Sequence, residues 1–552
     1  MKKLEIIPLG GIGEFGMNCM GIRYDDEMII IDAGMGFPEE TPYGVDISVP
    51  DFDFLEEYRD DLTAILLTHG HEDHIGSVPY LLKKFNLPVY GSRLTLAFME
   101  DKLDEHDMLD EVLMHRVRAN DIVKIGSFEV EFIHASHSLV DCFSLAIKTP
   151  VGTVIHTGDY KIDDSPVIGD PYDLKTLKKY GEDGILALLA DSTNATVPGR
   201  TPSEQDVIPA LREIFQTAEG RVFVTTFSSS FHRLQIVFDL ARESGRKVCV
   251  LGRSMKRNIE TGSDLGLLDI PAETSVSLSD SRHYPEDQII YLVTGSQGEQ
   301  RAVMWNLATQ SYKGLTIEKG DTVVLSARNI PGNEKRISHM IGAIYRSGGN
   351  VIEEKRNLIH VSGHASQEDM RILTETAKPK FLVPIHGEYR MLYRHKEFAL
   401  AELGFEDKNV ILIENGDILE LDSESARVAD HADVGKTFID GLGMSEIEEE
   451  TVRERKKLAY SGIVSLVVTL DKKTRELRSE PKIEIQGVAG IDPLNGTLKS
   501  AKDSVSEAIN AMSMRDLSDQ SWMAEHLRIH LKRFIQKETG TKPLIVPTIV
   551  EV

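Results

Sequence analysis

Thr68-His69-Gly70-His71-Glu72-Asp73-His74 is the stretch on which the reading of this chain turns. It follows the apolar run Ala64-Ile65-Leu66-Leu67, so it lies on the loop at the end of a buried strand. Imidazoles are borderline-soft donors that suit zinc, and a carboxylate joins them readily. Four potential ligands within six residues cannot all reach one tetrahedral ion. The spacing suits two adjacent ions, with His69 and His71 on one and Asp73 and His74 on the other. A single surface histidine ordinarily needs no such explanation. Three with an aspartate, directly after a buried strand, do.

Two ions need further ligands. His137 follows the strand-like Phe128–Ile133 in His134-Ala135-Ser136-His137-Ser138. Asp159 lies in His156-Thr157-Gly158-Asp159-Tyr160, and His386 in Pro384-Ile385-His386-Gly387-Glu388. Each comes after an apolar strand and can project from one sheet edge. Taken alone, each reads equally well as a capping or loop residue.

The chain has 552 residues, enough for about three domains. Its 41% hydrophobic and 27% charged residues are those of a folded globular protein, which excludes a disordered chain, a collagen and a coiled-coil rod. No apolar run is long enough to span a membrane. The start, Met1-Lys2-Lys3 and then Leu4 to Leu9, reads as a first strand rather than a signal peptide. Cys19, Cys142 and Cys249 are too few for a disulfide framework and suggest a reducing cytoplasm. The formal charge of −26, from 62 basic against 88 acidic residues, argues against a protein that coats nucleic acid. It is an average, however: residues 221–360 carry 18 basic against 15 acidic.

The first 160 residues hold short β-type runs, with helical stretches at Val78–Phe85 and Thr95–Leu103. From about residue 204 strands and helices alternate: Arg221–Thr226, Phe231–Arg242, Lys247–Leu251, Asp287–Val293, Glu299–Asn306, Thr322–Ser326, Glu334–Ser347. That is a parallel α/β unit. Residues 350–420 read as short strands again. The charge run at 441–459 has no apolar period and reads as a linker or solvated helix. The last 90 residues read as a small α+β domain, with helices over 500–513 and 519–537 and a final strand Leu544–Val552.

HxHxDH, a later strand-end His, Thr157-Gly158-Asp159 and a distant His, with an insertion before the last one, resemble the metallo-β-lactamase fold. Asp191, His364 (in His360-Val361-Ser362-Gly363-His364-Ala365-Ser366) and His386 resemble the three motifs of its β-CASP subgroup of nucleic-acid nucleases. In that subgroup the last motif is His in RNA-acting members. With Pro8-Leu9-Gly10-Gly11-Ile12-Gly13-Glu14-Phe15-Gly16-Met17-Asn18, the whole chain is similar to the bacterial ribonuclease J family.

The resemblance implies an αββα metallo-β-lactamase domain, residues 1–205 and 355–445, split by a parallel α/β β-CASP domain, 206–354. A linker at 446–460 and an α+β C-terminal domain at 461–552 follow. It implies two zinc ions, with manganese a possible substitute: His69, His71 and His137 on one, Asp73, His74 and His386 on the other, Asp159 bridging. His364 is the implied proton-transfer residue, with Asp191 behind it. A structural calcium near Gly44, Asp46 and Asp440 is a further implication. So are zinc-dependent 5′→3′ exonuclease and endonuclease activities in RNA decay and in rRNA and mRNA 5′-end maturation. The expected partners are single-stranded RNA, preferentially 5′-monophosphorylated, a second copy of the chain in a homodimer or homotetramer, and a paralogue or RNA-decay proteins. The expected location is the cytoplasm, with no membrane.

Two metals about 3.5–4 Å apart can hold a hydroxide and a substrate oxygen. A bridging hydroxide attacking phosphorus in line would leave a 5′-phosphate. Asp32, Thr157 and Glu388 are candidate acceptors that orient ligand histidines. Ser229, Ser230 and Phe231 open a helix, where free N–H groups and hydroxyls suit an anion or a simple cap. With His360, Val361, Ser362, Gly363 and His364 they are the resemblance's 5′-phosphate pocket. Arg253, Lys256, Arg257, Arg328, Lys335 and Arg336 are candidates for an RNA-channel wall, and Phe231, Tyr345 and Tyr389 for stacking. The Gly10–Gly13 turn has no helix after it and is no dinucleotide fingerprint. Two rival readings stay open: a small-molecule metallo-hydrolase, which needs neither the insertion nor His364, and a scaffold subunit of weak activity.

Overall fold

The computed structural model describes residues 3–36, 45, 47–330, 332–353, 357–440, 445–489 and 496–552. They fall into two units, residues 3–36 and 48–436 in one and 45, 47 and 437–552 in the other.

Two sheets lie face to face at the heart of the first unit. One has the strand order Ala426–His431, Asp417–Leu421, Leu4–Gly10, Cys19–Tyr24, Glu27–Ile31, Leu62–Leu66, Val89–Gly91, Met114–Arg116. The other runs Phe381–Ile385, Ile185–Asp191, Thr153–His156, Cys142–Lys148, Phe128–Ala135, Ile122–Ile125. Strand side chains alternate between faces. Leu4 and Ile6, Ile29 and Ile31, Phe128, Val130 and Phe132, and Ala187 and Leu189 therefore meet in one core between the sheets. The alternate residues Ile30, Ile65 and Leu188 are also buried. Arg93–Glu105, capped by Ser92 accepting from Thr95 N at 3.2 Å, packs on the outer strands of the first sheet. Gln367–Ala377 and Tyr389–Glu402 cover the second. The four layers are the expected αββα sandwich. Strands buried on both faces explain why these runs are apolar throughout.

The inserted unit is a wholly parallel sheet in the order Lys247–Leu251, Ile289–Val293, Val222–Thr225, Thr322–Leu325, Asn350–Ile352. Phe223, Tyr291 and Val323 face a core shared with Met304, Leu307, Met340 and Ile344 of two flanking helices. After the insertion the chain returns to the sandwich by pairing Phe381–Ile385 with Ile185–Asp191.

Residues 437–552 form the α+β unit, with a three-stranded sheet in the order Lys482–Gln486, Ile463–Leu470, Leu544–Glu551. Val464, Leu466, Val468 and Leu470 pack on Val505, Ile509, Leu527 and Leu531 of two helices. Among the described residues no helix is long and apolar enough to cross a membrane.

One expectation needs correction. Residues 350–420 are not all strand. Gln367–Ala377 is a helix whose buried Met370, Leu373, Thr374 and Ala377 follow the three–four spacing, and Tyr389–Glu402 is another. Of the two readings of the charge run, a linker or a solvated helix, the structure has the helix, Glu449–Ser461. It ends at Gly462 with φ of 73°. None of its described side chains is buried, so no apolar period shows.

Where the insertion begins, Glu204 and Arg233 form a buried ion pair, Oε2 to Nη2 at 2.9 Å. Burial alone would raise the Glu204 carboxyl, but Arg233 and Lys161 outweigh it and hold it down to about 2. The folded value lies below the ordinary 4.5, so the pair stabilises fully above pH 4.5 and loses its effect as pH falls toward 2. Glu204→Gln, which strands the Arg233 charge, should cost about 3 kcal/mol at pH 7 and progressively less below pH 4.5. Denaturant melts across that range check it.

Candidate metal centre

All seven residues of the expected ligand set converge at one edge of the sandwich. The Leu62–Leu66 strand delivers His69, His71, Asp73 and His74, and Phe128–Ala135 delivers His137. Thr153–His156 delivers Asp159, and Phe381–Ile385 delivers His386. Donor atoms of His69, His71, His137 and Asp159 lie within 4.8 Å of one another, as do those of Asp73, His74, Asp159 and His386. Asp191, His364 and His386 form a third group on the same scale.

Asp159 is common to the first two groups. Its Oδ1 is 3.1 Å from His386 Nε2 and 3.3 Å from His74 Nε2, and its Oδ2 is 3.7 Å from both His69 Nε2 and His137 Nε2. Burial would raise this carboxyl, but His386, His74 and His364 outweigh it and hold it well below the usual range.

The remaining ring nitrogens are fixed from behind. Asp32 accepts from Thr68 N at 2.8 Å, Thr68 Oγ1 at 2.7 Å and His74 Nδ1 at 2.7 Å. The Thr68 hydroxyl, donating to Asp32, accepts from His69 Nδ1 at 3.0 Å. His137 Nδ1 donates to the Gly363 carbonyl at 2.8 Å. His69 and His137 are thereby left with their Nε2 lone pairs turned into the cluster, while for His74 burial is outweighed by Asp159, Asp73 and Asp32, which raise it well above its ordinary value. His69 Nε2 and His137 Nε2 stand 3.0 and 3.2 Å from His71 Nδ1. Burial lowers all three histidines, His71 to about 4, so they are neutral donors. Three neutral nitrogens so close, beside a buried carboxylate, fit a cation. The second group also fits: Asp159 Oδ1 and both His386 ring nitrogens are buried without a hydrogen bond. Zinc, manganese and other first-row divalent ions accept such nitrogen and oxygen donors.

The backbone is forced to suit. Asp32 and His386 have φ of 58°, a left-handed conformation uncommon for residues with a side chain. Ile12–Gly13 pairs in parallel with Gly387–Glu388, which holds the His386 turn against the N-terminal glycine segment. A Cβ on Gly34 would lie 1.6 Å from the Asp73 carbonyl oxygen, so only glycine lets this backbone approach the ligand loop.

Behind the second group, His364 Nδ1 is 2.8 Å from Asp191 Oδ2 and 3.9 Å from Asp159 Oδ2. Burial would lower His364, but Asp191 and Asp159 raise it to about 9. Asn194 Nδ2 donates to Ser362 Oγ at 2.9 Å and to the His364 carbonyl at 3.0 Å, setting the 360–364 loop.

A cleft of about 310 Å³ borders the centre. Gly70, His71 and Phe98 line one side, and Phe227, Ser228 and Ser229 of the insertion line the other. Ser230 stands at the N-cap of Phe231–Glu243 but makes no side-chain cap bond.

Other expected residues fall elsewhere. The Phe231 ring is fully buried, edge-on to Phe98 at 6.2 Å, and offers no stacking face. Tyr345 and Tyr389 are exposed. Arg257 pairs with Asp101 and Glu105 across the cleft, at 3.5 and 3.3 Å. Arg328 donates to Asn194 at 3.1 Å. Of the three candidate orienting residues, Asp32 alone contacts a ligand histidine. Thr157 Oγ1 accepts from Asp191 N at 3.1 Å, and Glu388 pairs with Arg390 at 3.1 Å. Gly44 and Asp46 lie outside the described residues, and Asp440 ends the strand Lys436–Asp440.

Sequence reasoning missed Thr68, Gly34 and Asn18, whose Nδ2 lies 3.0 Å from the Asp73 carbonyl and 3.1 Å from His74 Nε2. Asn18 stands in the quoted glycine-rich stretch, a signal that was there to use. Gly34 has no such signal.

Sequence models of four families match: "Metallo-beta-lactamase superfamily" over residues 12–200, "Ribonuclease J, beta-CASP domain" over 219–344, "Zn-dependent metallo-hydrolase RNA specificity domain" over 349–412 and "Ribonuclease J C-terminal domain" over 450–552. The chain is 41% identical over 555 residues to "Ribonuclease J" of Synechocystis sp., covering 99% of this chain and 86% of that one. It is 35% identical to "Ribonuclease J" of Thermus thermophilus, covering 99% and 95%. A crystal structure of a protein of unknown function from Enterococcus faecalis V583 shares the fold, with a TM-score of 0.53 at 16% identity over 76% of this chain and 100% of that one.

Asp32→Asn should weaken divalent-metal affinity about 10–100-fold, read by competition with a chromogenic chelator. Gly34→Ala should lower bound metal per chain, read by elemental analysis.

Proposed function

The chain belongs to the ribonuclease J family, and from that premise we propose that it is a dinuclear zinc enzyme degrading RNA from its 5′ end. At the coarser level it is a metal-dependent ribonuclease of the metallo-β-lactamase superfamily, and its substrate is RNA.

His69, His71 and His137 would hold one ion, Asp73, His74 and His386 the other, and Asp159 would bridge, with zinc in both and manganese a substitute. Bound there, the metals would supply a water of lowered pKa and positive charge at the phosphoryl oxygens. The chain's own residues do the rest. Asp191, fully buried, accepts from His364 Nδ1 and leaves Nε2 as the outward donor. Paired with Asp191, His364 can carry a proton and pass it to the departing 3′ oxygen, which would leave the product a 5′-phosphate.

The observation that carries the 5′→3′ reading is the cleft joining His71 to Ser228 and Ser229. The 228–230 hydroxyls and the 360–364 loop would seat the terminal monophosphate. The same centre would cut internally when an unpaired strand reaches it without seating its end. The small-molecule hydrolase reading leaves the insertion's side of the cleft and the His364–Asp191 pair without a task. Exposed apolar residues on the C-terminal unit, Trp522, Val546 and Val550 among them, support self-association as a dimer or tetramer. Cytoplasmic RNA decay and 5′-end maturation of rRNA and mRNA complete the proposal.

Purified protein with 5′-monophosphorylated RNA should release mononucleotides, faster than from 5′-triphosphorylated RNA, and chelator or His71→Ala should abolish release. His364→Ala should lower kcat about 10²–10⁴-fold with metal content unchanged. Absence of release from either RNA would contradict the reading.

A further inference from the structure

Away from the metal donors, Lys161, Asp163, Glu204 and Arg233 meet where the insertion joins the sandwich, each with 1% of its side chain exposed. Lys161 Nζ is 3.3 Å from Asp163 Oδ2 and 3.8 Å from Glu204 Oε1. Two charges of each sign cancel, so this cluster has none left to hold a phosphate. His360 beside it is held at about 3 by burial and by Arg233, and is neutral.

The bonds of Arg233 are directional. One Nη donates to Glu204 Oε2 at 2.9 Å. The other donates to the Ile359 carbonyl at 2.6 Å and to Ser326 Oγ. Ser326 Oγ in turn donates to the same Ile359 carbonyl at 2.6 Å. Ile359 directly precedes the 360–364 loop, and Arg233 lies one turn into the helix that Ser229 and Ser230 open. Glu204 N donates to Asp163 Oδ2 at 3.1 Å, four residues along the chain from Asp159. One guanidinium therefore spans both phosphate-seating segments and is anchored toward the metal centre. A buried ion pair adds little stability over apolar residues of like volume, but it fixes register because its geometry is exacting.

We infer that Arg233, seated on Glu204, is a positioning residue that sets the distance between the 5′-phosphate pocket and the metal centre, and with it the one-nucleotide step. This rests on the pocket proposed above.

The test uses the full chain carrying Arg233→Met with Glu204→Gln, which removes both charges together, and Ser326→Ala, which leaves the pair. Metal content and hydrolysis of bis(p-nitrophenyl) phosphate, a diester with no terminal phosphate to seat, report on the centre. KM and kcat on 5′-monophosphorylated and 5′-hydroxyl RNA, and product length, report on the pocket. The double variant should raise KM for monophosphorylated RNA about tenfold with kcat changed less than about threefold, and yield mixed product lengths. The 5′-hydroxyl RNA should be little affected. Ser326→Ala should shift KM the same way by about threefold. Both variants keeping monophosphate preference and single-nucleotide products within about twofold would overturn the inference. If the double variant loses metal, Ser326→Ala decides alone. Wild-type protein indifferent to the 5′ end would instead remove the pocket on which the inference stands.

Discussion

A carboxylate with no water around it must be matched by positive charge or revert to its neutral form. Asp159 is 2% exposed and has five imidazoles within 4 Å, those of His69, His74, His137, His364 and His386. Burial keeps His69 and His137 neutral, their protons directed backward to Thr68 and the Gly363 carbonyl. Inward, the site presents lone pairs and the carboxylates of Asp159 and Asp73. That electrostatic deficit selects for dications, and everything nearby serves to keep it from relaxing.

Holding it requires six strands to end at one place. Parallel pairing of Thr153–His156 with Ile185–Asp191, and of the latter with Phe381–Ile385, puts Asp159, Asp191 and His386 at the same ends of neighbouring strands. The parallel step from Glu27–Ile31 to Leu62–Leu66 does likewise for Asp32 and the 69–74 loop. Left-handed backbone at Asp32 and His386, and the tight approach at Gly34, are local costs that the packed sandwich sustains. The insertion enters after Asp191 and leaves before His364, so its serine-rich helix start is carried to the rim of the same site.

The candidate ligand set was legible because HxHxDH is dense, and because each remaining candidate donor follows an apolar run that had to be a strand. The parallel insertion showed in its alternation of strand and helix. What stayed hidden is instructive. The helices after residue 365 carry apolar spacing diluted by Thr and charged residues. The helix at 449–461 buries no described side chain and so has no period to read. Asp32 was a candidate by proximity alone, since its three bonds come from residues 36 and 42 positions away. Phe231, read as a stacking ring, faces inward because its helix start packs on Phe98. The charge of −26 sharpened in the same way. At the centre the acidic groups face expected dications, while Lys161 and Arg233, basic by count, are cancelled by buried partners.

The claim beneath all of this is that one buried carboxylate is shared by two metal positions. Anomalous scattering at the zinc edge from metal-loaded crystals tests it most directly. The account predicts two peaks per chain, one among His69, His71 and His137, the other among Asp73, His74 and His386, with Asp159 between them. A single peak, or two that do not share Asp159, would contradict it.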